Sequence, residues 1–458
     1  MSDPIDGKGE LRMKELLLKT DCGMLKGCDN GTCSVFYGVP FAKAERFAYA
    51  VPAKTWDGVL DATKPGPACP QNRALHEHFE HPTRRFYHKE FREGQVFAYG
   101  EDCLNLNLFV PKNAKDAPVI VFFYGGGFDS GINWESPFDG TALAAHGVIT
   151  VFANYRVGLL GYLTHEQIRK ATGRDGNFGL DDQLCAIKWV KAHIRAFGGD
   201  PDNITLMGQS AGAISIQYLC LNHDLEGLFR RAIMMSGAGL FPKFSLPKPA
   251  ADTHAYWEQF IEVAGVDGFE GLKTAPLDLL FDTVEKMKEI RNDAIYYTMP
   301  VVDGVLLKDG VDKLIQSPLA LDYLLGYTNN DMFAPVMAYI GNRFGRANGA
   351  YIYYFDINSP GDDNRAFHSC DLRYAFGTLD NGWRPYGARD REASEQLVSY
   401  LANFAASGDP NGAALPVWKK AGGLRTRVLH IAADQTGMGH AHYCTMLKNM
   451  LTKGDPKA

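Results

Sequence analysis

The chain has 458 residues, 46% of them hydrophobic and 22% charged, with 47 Lys and Arg against 53 Asp and Glu for a net charge of −6. That balance suits a globular protein with one large core and excludes a disordered, collagenous or coiled-coil chain. No block of like charge is present to recruit nucleic acid or an anionic membrane, and no apolar run approaches the ~18–20 residues of a membrane-spanning helix.

Residues 1–12, MSDPIDGKGELR, are polar and precede Met13; they read as a leader or flexible tail, with 13–458 as a single domain. Leu16-Leu17-Leu18 is too short for a signal-peptide core, so a cytoplasmic location is expected. Nine cysteines, an odd number, do not read as a secreted disulfide framework. Cys22, Cys28 and Cys33 are too loosely spaced for a zinc knuckle. His76, His78, His81 and His88 stand among Glu77, Glu80 and Glu90 and read as a solvated loop. No metal site is expected.

The first predicted element is a hairpin around Cys28-Asp-Asn-Gly-Thr-Cys33, where Asn30-Gly31 signals a type I′ turn. Residues 117–124 and 147–153 are continuous apolar runs, as strands buried on both faces require. Leu184, Ile187, Val190, Ile194 and Phe197 recur at steps of three and four, which predicts a helix over 182–197. Residues 203–207, 231–235, 321–325 and 351–355 read as further strands. Strands alternating with helical stretches predict an α/β fold, a mostly parallel sheet with helices on both faces.

The chemistry gathers where two of these strands end. Gly208-Gln-Ser-Ala-Gly212 follows the strand at 203–207 and precedes a helix-compatible stretch over 213–221. A serine between glycines at a strand-to-helix turn is a nucleophile elbow, which lifts the hydroxyl above the sheet and aims helix amides at the reacting carbonyl. Tyr124-Gly-Gly-Gly-Phe128 closes an earlier strand with three unobstructed amides, suited to stabilising an oxyanion. A phosphate loop would need a following Lys-Ser/Thr pair, which is missing.

With Glu101-Asp-Cys-Leu-Asn-Leu-Asn107, Asn154-Tyr-Arg-Val-Gly158, Gly176-Asn177 with Asp182-Gln183, and Phe197-Gly-Gly-Asp-Pro201, these motifs resemble, in order, those of the type-B carboxylesterases of the α/β-hydrolase fold. The resemblance runs from Phe36-Tyr-Gly-Val-Pro-Phe41 to Gly408-Asp-Pro-Asn-Gly412. It implies that Ser210 is the nucleophile and that Gly126, Gly127 and Ala211 supply the oxyanion-hole amides. It implies a small-molecule ester substrate, no cofactor, and a monomer or homodimer. The acid must precede the histidine. Gly326-Tyr-Thr-Asn-Asn-Asp-Met-Phe333 resembles the family's acid loop and nominates Asp331, with Asp322 and Asp303 as rivals. The stretch from Ala366 to Gly377 resembles the histidine loop and nominates His368; His430, His440 and His442 satisfy the order without that context. Ser236 is similar to a family serine that supports the acid, and Cys69 and Cys103 match the family's first disulfide, although without an export signal this pair is expected to be reduced. Residues 70–102 lack the tryptophan that cholinesterases use for choline, so a choline-ester specialist is not expected.

The resemblance therefore implies a serine carboxylesterase with a Ser-His-Asp triad. A catalytically silent binding or adhesion relative, and an amide or carbamate hydrolase using the same site, are the alternatives. Asp331 and His368 are only 37 positions apart. Long family members place extra helices there, so an open site favouring short acyl chains is expected.

Overall fold

The computed structural model describes residues 14–72, 82–237, 239–240, 246–421 and 427–440. The expected tail and His76, His78, His81 and His442 lie outside the described residues. The chain opens with an antiparallel meander of β1 (Lys14–Lys19), β2 (Met24–Asp29) and β3 (Cys33–Pro40). The predicted hairpin forms, with Cys28 opposite Val35, but its turn differs from the expected type I′. Only Gly31 has a positive φ, 92°, whereas type I′ needs two such residues. Asn30 Oδ1 instead accepts from the Thr32 and Cys33 amides at 3.0 and 2.8 Å, so the asparagine side chain shapes the turn.

After a small ribbon of β4 (Ala42–Lys43) and β5 (Val51–Pro52), β6 (Val59–Asp61) joins β2. The main sheet then grows from β7 (Asn105–Pro111), β8 (Ala117–Phe123), β9 (Ile149–Ala153), β10 (Gly199–Gln209), β11 (Arg231–Met235), β12 (Asp322–Thr328), β13 (Ala350–Asp356), β14 (Arg427–Ala432) and β15 (Thr436–His440). Seven neighbours, in the order β9-β8-β10-β11-β12-β13-β14, run parallel, and antiparallel strands extend both ends. Parallel strands need crossover helices, and the apolar runs of β8, β9 and β11 lie buried between those layers. This is the expected α/β-hydrolase architecture.

β7 was not legible as a strand because Asn105 and Asn107 interrupt its apolar pattern. Both are buried, and their amides bond Pro67 O at 2.9 Å and Asn133 O at 3.2 Å, which makes the burial tolerable. The expected helix over 182–197 begins earlier, as α2 (Phe178–His193), and ends in a 3₁₀ turn (Ile194–Phe197). Residues Pro82–Phe91, expected in a solvated loop, form helix α1, which places His88 against a cavity rather than in open solvent. Among the described residues no helix is long and apolar enough to cross a membrane.

The loops that matter leave the carboxyl ends of β8, β10, β12 and β13, where ligands bind in open parallel sheets. Beside them stand α4 (His254–Ala264) and α5 (Leu277–Ile290), packed through Trp257, Phe260, Phe281 and Met287 into a second apolar cluster.

Candidate active site

Ser210 joins β10 to α3 (Ala211–Leu219) with φ 54° and ψ −122°, a backbone conformation that costs a non-glycine residue energy. Its surroundings enforce it. A Cβ on Gly208 would come within 2.6 Å of the Gly212 backbone, and one on Gly212 within 2.0 Å of Phe123 O. The Ser210 amide donates to Met235 O at 2.9 Å, tying the turn to β11. Ala211, as the first residue of α3, has an amide without an intrahelical acceptor.

The glycine loop lies next to this turn. Gly126 has φ 120°, and a Cβ there would strike Ser130 O at 2.0 Å, so only glycine fits. Among the described residues neither the Gly126 nor the Gly127 amide donates to a protein acceptor. Two tyrosines anchor the loop's start. Tyr124 and Tyr155 stack at 4.4 Å, and each hydroxyl donates to the other's carbonyl, at 2.9 and 2.7 Å.

The nominated Asp331 and His368 meet across the ends of β12 and β13. Asp331, fully buried, lies 3.2 Å from His368 Nδ1 and accepts from the Phe333 amide at 2.9 Å. Burial works against its charge, but His368 and these hydrogen bonds outweigh it and hold the carboxyl below its usual range. Ser236 faces the same carboxylate and helps hold its charge, although neither Ser236 Oγ nor Asp331 Oδ2 completes a hydrogen bond. Burial alone would lower the His368 imidazole; Asp331 and, less strongly, Asp371 outweigh it and raise it above its usual value. Asp371 is itself buried, which pushes its carboxyl up to about 6 although the Tyr353 hydroxyl donates to it at 2.6 Å.

The rivals for these roles sit elsewhere. Asp322 pairs with Arg231 at 3.7 Å, and Asp303 accepts from the Val305 and Leu307 amides. His430 bonds the His440 carbonyl at the sheet's far edge.

Ser210, His368, Gly126 and Gly127 line one cavity of about 340 Å³, at the small end of the range for ligand sites. Two of its walls were not legible in the sequence. One is α1, carried on the loop between Cys69 and Cys103, which are joined as a disulfide and not reduced as expected. Phe86 of α1 packs edge-on against Phe367 at 4.9 Å, and buried Arg384 holds Glu90 at 2.8 Å, so this helix braces the residue preceding His368. The other wall comes from Tyr256, Val284 and Thr298. Gln209 was also missed, although it sits inside the serine motif; its side-chain nitrogen lies 3.2 Å from His368 Nε2.

A general base works only when neutral, so kcat/KM should fall as pH drops through an ionisation above the ~6.5 of an unperturbed histidine. Asp331, held below the usual carboxylate range, stays charged across that window. A pH–rate profile on a neutral ester checks this; a rate flat down to about pH 4 contradicts His368 as base.

The model described as Carboxylesterase family matches residues 14–345 and 332–449. The chain is 30% identical over 468 residues to the para-nitrobenzyl esterase of Bacillus subtilis (strain 168), covering 87% of this chain and 91% of that one. It is 28% identical to carboxylesterase 4A of Bos taurus, covering 90% of each. Among solved structures it is similar to a thermophilic PNB esterase, with a TM-score of 0.81 and 25% identity over 95% of this chain and 99% of the other.

Proposed function

The chain belongs to the carboxylesterase family, a family of carboxylic ester hydrolases, and from that membership we propose that it cleaves small esters through an acyl-enzyme on Ser210. The observation that carries the reading is the convergence on one cavity of a serine at a strained turn, two glycine amides, and a histidine held by a buried aspartate.

Asp331 accepts the Nδ1 proton of His368, which leaves the Nε2 lone pair facing the cavity. As Ser210 Oγ attacks the ester carbonyl, its proton passes to Nε2, and Asp331 stabilises the cation that forms. The carbonyl oxygen becomes an oxyanion, and the Gly126, Gly127 and Ala211 amides receive it; each such donor contributes ~3–4 kcal/mol to the transition state. Collapse breaks the ester C–O bond, and His368 returns its proton to the leaving alcohol. Water then attacks the acyl-enzyme by the same route, releasing the acid and restoring Ser210. The steps need neither metal nor organic cofactor. Retention of the nucleophile, base and acid in one site favours an active enzyme over a silent binding relative.

The cavity suggests which esters fit. Between Asp331 and His368 the chain builds only α6 (Ala334–Phe344) and β13, with no further helix to lengthen the wall. An acyl chain gains about 0.8 kcal/mol per methylene only while there is wall to bury it against. Over a p-nitrophenyl ester series, kcat/KM should therefore climb from acetate and level off by about eight carbons. A value still rising at that increment beyond this length would require a deep acyl tunnel and contradict the short-chain assignment. A hydrolysis screen over acyl and alcohol types, with fluorophosphonate labelling of the serine, tests the function itself.

A further inference from the structure

We propose that Gln209 is a positioning residue for the base: in the resting site its side-chain amide donates to His368 Nε2, and it yields that place to the Ser210 hydroxyl when the proton moves. The inference rests on the serine-hydrolase reading above and adds a residue to it. Gln209 ends β10 and is 3% exposed. Its amide packs against the glycine loop so closely that a Cβ on Gly125 would lie 2.6 Å from Gln209 Oε1. That packing directs Nε2 of the glutamine to within 3.2 Å of His368 Nε2.

The chemistry of the ring assigns the direction of the bond. Asp331 accepts at Nδ1, so the ring proton sits there and Nε2 offers a single in-plane lone pair. Of the two groups on the glutamine amide, the oxygen only accepts, so it is the NH₂ that donates to it. The same lone pair must take the Ser210 proton, and Ser210 Oγ shares no hydrogen bond with His368. The amide therefore caps the base, and catalysis begins when the cap moves aside.

The contact also acts on charge. A donor at Nε2 favours the neutral ring and opposes Asp331 and Asp371, the carboxylates that favour the cation. Other titratable and charged groups lining the same cavity are Arg84, His88, Asp129, Lys288 and the Arg92–Glu135 pair, the last closed at 2.7 Å.

Two variants test the proposal. Gln209→Glu keeps the shape but replaces the donor with a carboxylate, so the His368 ring should titrate about one unit or more higher. The acid limb of kcat/KM should move with it. Gln209→Met keeps the length but removes the cap, so a fluorophosphonate should label Ser210 roughly 2–10-fold faster once the imidazole is neutral, the effect of losing one net hydrogen bond. Ring titration is followed by NMR on histidine-labelled protein, with His368→Gln identifying the signal. A Gln209→Glu ring that titrates as the wild type overturns the contact; a Gln209→Met enzyme labelled no faster overturns the cap. Ring titration needs no turnover, so a wild type that hydrolyses no ester would defeat the esterase reading and leave this test standing.

Discussion

Ser210→Ala is expected to abolish ester turnover, with a loss of roughly 10⁶ in kcat, the scale seen when a nucleophile acting within a triad is removed. The fold should survive. Alanine carries the same Cβ as serine, so it meets the same strain at φ 54° that the β10–α3 turn already imposes. The Ser210 backbone bond to Met235 O, which ties the turn to β11, is untouched. Far-UV circular dichroism and thermal melting should match the wild type while p-nitrophenyl acetate hydrolysis falls to background. A variant that kept more than about a thousandth of the activity would place the nucleophile elsewhere.

His368→Gln should lose nearly as much, because serine and base act as one unit and their losses do not add. Glutamine fills much of the ring's place but offers no lone pair basic enough to take the serine proton. The double variant Ser210→Ala/His368→Gln should therefore be no worse than either single one. Asp331→Asn should be milder, a loss of about 10⁴, because it frees the imidazole to adopt the wrong tautomer without removing it. A ranking in which Asp331→Asn lost more than His368→Gln would mean that the carboxylate does more than orient the ring. The comparison is read as kcat/KM at a pH where the wild-type imidazole is neutral.

The parts of the fold that were legible in the sequence are those with one dominant physical cause. β8 and β9 are buried on both faces, and burial of that kind leaves an uninterrupted apolar run. The serine turn was legible because only glycine fits at Gly208 and Gly212, where backbone approaches within a Cβ's reach. Loop motifs nominate Asp331 and His368, and the fold brings them together across 37 positions of chain. What stayed hidden depends on partners remote in sequence. β7 tolerates two asparagines because Pro67 and Asn133 accept from them. Helix α1 is polar in its own right and is held by Arg384, 294 positions away, and by the ring of Phe367. Gln209 stood in plain view inside the serine motif, yet its role depends on a histidine 159 positions downstream.

The central claim is that Ser210 carries the acyl group, and mass spectrometry of the covalently labelled protein tests it most directly. Wild-type protein treated with a fluorophosphonate and digested should carry one adduct, on the peptide containing Ser210. Prior incubation with an ester substrate should slow its formation, and His368→Gln should all but prevent it. An adduct on a different serine, or ester hydrolysis that continues after Ser210 is fully labelled, would contradict the account.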